Sequence, residues 1–258
     1  RYVFPILPFM VLLGARMLVW AVEWTREHWP RLRPWAVGAV AAVVAATALY
    51  ALAFAGIYSR PHTAVQASRW INQNVPSGAT ILTDNHWDEG FSDLGRYRVK
   101  QIPIFEGDSR QKMEALARDL AQADYILFYS NRTYGSVARA PQRYPLSAAY
   151  YQALFKGELG YRLERQFTSY PKLPGIAFAD DTYTRAGLPP PAGEPSRPVG
   201  TPLTLNLGYA DENVVDYDHP KVLLFRNVER LPQPALAARL TAGADRSSGR
   251  TLIGRDIS

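Results

Sequence analysis

Trp35 to Ile57 reads WAVGAVAAVVAATALYALAFAGI, 23 residues without a charge. The hydrocarbon core of a bilayer is about 30 Å thick and takes roughly 20 apolar residues as a helix. A surface helix of a soluble domain keeps a polar face. Here only Thr47 and Tyr50 are polar, so the stretch predicts a transmembrane helix.

The residues before it fit the same solvent. Tyr2 to Val22 is apolar apart from Arg16, with Pro5 and Pro8 in the first turns, where missing N–H donors cost least. A span over about 2–22 is expected, with Arg16 reaching for the headgroups. The segment 23–34 (EWTREHWPRLRP) carries Arg26, Arg31 and Arg33, and Trp24, Trp29 and Trp35 surround it. Short basic loops stay cytoplasmic and Trp gathers at the interface. A hairpin over 1–57 with residues 23–34 in the cytoplasm follows, in an integral protein of the plasma membrane. Everything after Tyr58 is then extracytoplasmic. The chain opens on Arg1 and shows no secretory-signal layout, so a fragment or processed product is expected.

Composition excludes several classes. Five of the 29 Lys and Arg residues and two of the 23 Asp and Glu residues fall in 1–57, which leaves the remainder nearly balanced. No dense Lys/Arg run occurs, so a nucleic-acid partner is not expected. The absence of cysteine removes disulfides, thiolate metal sites and cysteine nucleophiles together.

The region 58–228 alternates helix and strand patterns. A helix is predicted over 63–74, then a strand over 79–83 (ATILT) and an edge strand over 98–105, limited by Pro103. A helix follows, capped by Asp108, with Met113, Leu116, Ala117 and Leu120 as its apolar stripe. Further strands are predicted over 124–130 (DYILFYS), 161–168 and 222–225, with a helix from Tyr144–Pro145 to about Glu158. This order predicts a Rossmann-like, mostly parallel α/β sheet. Residues 186–202 form a Pro-rich insertion, and 229–258 read as a frayed helix plus polar tail.

Several strings resemble a known family. RYVFPILPFMVLL is similar to the RY-x-x-P-x-x-P opening of a late transmembrane helix in GT-C membrane glycosyltransferases of family 39. That family includes protein O-mannosyltransferases and aminoarabinose transferases. HTAVQASRWINQNVPSGATI, SNRTYGS, YPLSAAYYQALFKGELGY, FTSYP and YDHPKVLLFRN resemble the C-terminal extracytoplasmic domain of such proteins, and also archaeal and Chloroflexi "YYY" multi-spanning membrane proteins. The resemblance implies inverting sugar transfer from a polyprenyl-phosphate donor to an acceptor at the outer membrane face. The family's catalytic acidic residues lie in its first outer loop, and no residue here matches them. No catalytic residue is therefore expected in this chain, and no cofactor. A divalent metal is expected at most in the parent enzyme. Arg1 beside Tyr2 is placed to stabilise a donor phosphate, although an interfacial anchor pair is the favoured reading.

Other candidates follow from the residues. Asp84, His86 and Asp88 alternate after a strand end, with Glu89 adjacent, so an extended backbone sets the three on one face. That pattern suits an acceptor-binding loop or an O/N metal site. A polar loop with local turn hydrogen bonds is the plainer reading. Asn131 and Arg132 end the DYILFYS strand at the same edge. Arg132 could bind phosphate or pair with a loop carboxylate, and the pair is favoured. His219 before Pro220 reads as a strand-entry turn. Tyr144, Tyr150 and Tyr151 invite a sugar-stacking reading, but their helical spacing favours packing. No G-x-G-x-x-G, P-loop, G-x-S-x-G or H-E-x-x-H occurs.

Together these point to the C-terminal portion of a polytopic glycosyltransferase, partnered by the lipid bilayer, a polyprenyl-phosphate sugar and an acceptor. The alternative is a non-enzymatic binding or sensor module anchored by the hairpin.

Overall fold

The computed structural model describes residues 4–84, 91, 93–194 and 201–248. The chain divides into two compact units, Arg1–Gly56 and Ile57–Ser258.

The first unit is a helical hairpin. Helix α1 (Leu7–His28) and helix α2 (Arg33–Ala55) are joined by a 3-10 turn, Pro30–Leu32. Both are long and apolar enough to cross a membrane. The first helix runs on past Val22 to His28, so the turn is shorter than the basic segment 23–34. Leu18, Val19 and Val22 face Val37, Val40, Ala41, Val44, Ala45 and Ala48 across the seam. Phe9, Leu12, Met17 and Trp35 are exposed. The Arg16 guanidinium reaches along α1 to the Glu23 carboxylate, 3.3 Å away.

The second unit is an α/β domain. Its elements in order are α3 (Thr63–Asn74), β1 (Thr80–Asp84), β2 (Arg98–Ile102), α4 (Arg110–Gln122), β3 (Tyr125–Phe128), α5 (Arg132–Val137), α6 (Pro145–Phe155), β4 (Tyr161–Phe167), β5 (Lys172–Leu173), β6 (Ile176–Asp181), β7 (Leu203–Tyr209), α7 (Glu212–Val215), β8 (Val222–Asn227) and α8 (Gln233–Ser248). Five strands form the main sheet in the order β2-β1-β3-β8-β4, and three form a smaller one, β5-β6-β7.

Alternation along the main strands explains its two-sided core. Leu82, Ile126, Phe128, Leu223, Phe225 and Leu163 pack on one face with residues of α4, α6 and α8. Ile81, Leu127, Val222, Leu224 and Phe167 pack on the other with Ala67 and Ile71 of α3. A strand buried on both faces reads as an unbroken apolar run, as in YILF and VLLF. In α4, Met113, Leu116, Ala117 and Leu120 are buried, the stripe expected from spacing. The edge position of β2 agrees with Pro103 after it.

The sheet is mixed, which corrects the expectation of a mostly parallel Rossmann-like one. β1 pairs in parallel with β2 and β3, but β8 pairs antiparallel with both β3 and β4. The smaller sheet is mixed too. The reason lies in the connection. Phe167, the last residue of β4, pairs with Val222, the first of β8. The excursion 168–221 thus leaves and re-enters at one end of the sheet, and the returning strand has to run the opposite way. Strand composition carries no information about that.

The C-terminal segment includes α8, whose Leu236 and Leu240 are buried in the main core. Within 186–194 the Pro-rich segment is bonded to the domain: Ala192 N–H donates to the Phe155 carbonyl at 2.8 Å, and Leu163 N–H donates to the Ala192 carbonyl at 3.0 Å.

Candidate functional site

β1 and β3 are neighbours, yet the chain leaves their carboxyl ends in opposite directions, toward β2 and toward α5 and β4. In an open α/β sheet this is the switch point outside which ligands bind. The residues there are Asp84, ending β1, and Ser130–Asn131–Arg132 after β3.

Asp84 is buried. One oxygen, Oδ2, accepts hydrogen bonds from the hydroxyls of Thr133 and Tyr151, the latter at 2.9 Å. Among the described residues the other oxygen has no partner. Burial pushes the carboxyl up to about 7, although both hydroxyls favour the charged form. The balance follows from desolvation outweighing two neutral donors. Asp84 is thus a carboxyl that burial holds above the ordinary range, at the carboxyl end of β1.

Asn131 is also buried. Its Nδ2 donates to the Ala210 carbonyl at 3.1 Å, and its Oδ1 has no partner among the described residues. Asp84 Oδ1 and Asn131 Oδ1 are thus two buried acceptors without a donor among the described residues. Arg132 is committed to protein groups. It lies 2.8 Å from Asp216 Oδ2 and 3.4 Å from Glu212 Oε2, donates to Tyr217 OH at 3.2 Å, and covers the Tyr217 ring at 5.8 Å. A guanidinium shared by two carboxylates holds α7 against α5 and leaves little charge for a phosphate.

Of the other candidates, Arg1, Tyr2, His86, Asp88 and Glu89 lie outside the described residues. His219 sits with Nε2 3.7 Å from Asp180 Oδ2. Tyr150 and Tyr151 are fully buried, so their rings pack in the core and offer no stacking face to a sugar. No group of three or more His, Asp or Glu side chains forms a metal site among the described residues.

The sequence pointed at Asp84, Asn131 and Arg132, and at Tyr151 only as a packing or stacking ring; it did not point at Thr133, Glu212 or Asp216. The hydrogen bonds of Thr133 and Tyr151 to Asp84 depend on α5 and α6 converging on β1. The arrangement offers a buried carboxyl with one phenol and one threonine hydroxyl as its donors.

No protein-family model, curated protein or solved structure matches the chain.

Proposed function

We propose that this chain is the C-terminal part of a polytopic membrane glycosyltransferase, which moves a sugar from a polyprenyl-phosphate donor to an acceptor at the outer face of the plasma membrane. The chain supplies the last two spans and an accessory outer domain. The observation that carries this reading is the order of parts. Two apolar helices of spanning length run directly into an α/β domain, the order the sequence resemblance implies. In this reading the basic turn at Arg31 and Arg33 is cytoplasmic and the α/β domain extracytoplasmic. The carboxyl end of β1 and β3, beside Asp84 and Asn131, lies toward the acceptor, while the chemistry belongs to upstream acidic residues.

The test is reconstitution of the full-length protein in vesicles with a radiolabelled polyprenyl-phosphate hexose. Label passing to a membrane or protein acceptor supports the reading. A full-length protein with these two spans alone would sink it. Topology is tested separately, and the cysteine-free chain makes this simple. Glu229→Cys is expected to react with an impermeant maleimide on intact cells. Arg31→Cys is expected to react only after permeabilisation.

A further inference from the structure

A second hollow lies between the β4–β8 edge of the main sheet and the smaller sheet. It encloses about 400 Å³, within the size range of small-molecule sites. Gln166, Asp180, Tyr183, Glu194, Asn206 and Lys221 are among the residues that line it.

Its polar groups are incompletely used. Lys221 is only 4% exposed. Its ammonium lies 4.7 Å from the centre of the Tyr183 ring and 5.7 Å from that of Tyr170. An ammonium has three donors, yet among the described residues the single hydrogen bond of this one is a long one to the Asp180 carbonyl, 3.5 Å. Among the described residues no carboxylate reaches it as an ion pair. The Gln166 Oε1 atom is buried with no donor among the described residues. Asn206 uses Oδ1 to accept from Gly208 N–H at 2.8 Å, and its Nδ2 donors have no acceptor among the described residues. Glu194 accepts from Tyr183 OH at 3.1 Å, and burial holds its carboxyl above the ordinary range. Asp181 is already spent on the Tyr183 and Thr184 amides and the Thr184 hydroxyl.

These demands select a chemistry. An anion would satisfy Lys221 but meet Asp180 and Glu194. A cation would suit the carboxylates but meet Lys221. Hydroxyls donate and accept together, so a ligand bearing several of them answers the open donors of Lys221 and Asn206 and the carboxyl of Glu194 at once. The geometry points to this cleft as a binding site for a short neutral saccharide, held by Lys221, Glu194 and Asn206. The inference rests on the cleft and not on the glycosyltransferase reading, and either can fail without the other.

The test uses the whole chain in nanodiscs, with saturation-transfer NMR and calorimetry. The probes are methyl α-D-mannoside and methyl β-D-glucoside in solution, and nanodiscs doped with a monoglycosyl diacylglycerol. Inorganic phosphate and spermidine serve as anionic and cationic counterparts. A neutral glycoside in either arm is expected to bind with Kd on the order of 1 mM or tighter. The tighter arm identifies a free or a lipid-borne sugar as the source. Lys221→Met is expected to weaken binding about tenfold, the loss of a hydrogen bond in a desolvated site. Should Lys221→Met fail to fold by circular dichroism, the exposed Asn206→Ala takes its place and is expected to weaken binding in the same direction. Binding of phosphate or spermidine in preference to both glycosides overturns the proposal. So does no glycoside binding in either arm, or unchanged affinity in the folded variants.

Discussion

Asp108 caps a helix that begins far along the chain: its Oδ2 accepts the backbone N–H of Leu146 at 2.7 Å and of Ser147 at 2.9 Å. Its own helix, α4, is capped instead by Ser109, whose hydroxyl accepts from Lys112 N–H at 3.1 Å. The other oxygen of Asp108 pairs with Lys112, 3.2 Å away, and both side chains are only 6% exposed. Lys112 also donates to the carbonyls of Ile104 and Glu106 and to the Ser147 hydroxyl. One ion pair thus ties the starts of α4 and α6 together.

Removing one member of a buried pair strands the other. Asp108→Ala is expected to destabilise the domain by about 3–5 kcal/mol, with the lost cap of α6 included. Denaturant unfolding measures it. Because the larger part of that cost is the stranded ammonium, Asp108→Ala with Lys112→Met is expected to recover part of the loss. A double variant as unstable as the sum of the two single ones contradicts this.

Asp84 makes stability depend on pH. Its carboxyl sits near 7 in the folded chain, against an ordinary value of 3.8. A carboxyl raised on folding favours the native state when protonated. Its contribution is whole below about 3.8, shrinks as pH rises, and is gone above about 7. The gap corresponds to on the order of 4 kcal/mol. Asp84→Asn lacks the titration, so its stability relative to the parent is expected to rise between about pH 4 and about pH 7 and then level off. Unfolding midpoints across that window measure it, and a constant difference between the two proteins would refute it.

Arg132 holds the buried carboxylate of Asp216, whose side chain is 1% exposed. Arg132→Met is expected to cost about 3 kcal/mol, since it leaves that charge uncompensated. Arg132→Lys is expected to recover only part, because a point charge cannot serve Asp216, Glu212 and Tyr217 in one plane. Thermal unfolding of the three proteins separates these outcomes.

Two glycines of the Pro-rich segment differ in a measurable way. Gly193 has φ +102°, and a Cβ there would lie 2.9 Å from the Leu163 carbonyl oxygen. Gly187 has φ +69° with nothing within 4 Å of such a Cβ. Gly193→Ala is expected to cost about 2–3 kcal/mol and Gly187→Ala about 1 kcal/mol, by chemical denaturation. Equal costs would mean the Gly193 contact to β4 is not held in solution.

What could be read from the sequence followed the range over which each signal acts. The charge-free run at 35–57 and the apolar stripe of α4 are local patterns, and both became helices where expected. The direction of β8 was hidden, since VLLF reads the same either way and the long excursion before it decides. Asp108 was assigned to the helix beside it, because capping motifs are recognised over a few residues and this carboxylate serves α6. The smaller sheet was missed entirely, although LTLNL in β7 alternates strictly. Its leucines Leu203, Leu205 and Leu207 face outward, so the pattern does not mark a core. At the carboxyl end of β1 and β3, Asp84 and Arg132 stood out by type and position. The groups that give them their character come from α5, α6 and α7, and only the tertiary fold brings those near.

The place of β8 has a consequence for how the protein is made. Of the five strands in the main sheet, the one synthesised last lies between β3 and β4. Until Asn227 has been added, β3 and β4 each present an open edge to whatever is nearby, and α8, which packs on α4 and α6, is still to come. Newly made chains therefore spend the whole translation of 168–221 with an unfinished sheet. That interval, more than any single contact, is when a chaperone or a neighbouring nascent chain would find this protein vulnerable to pairing with the wrong strand.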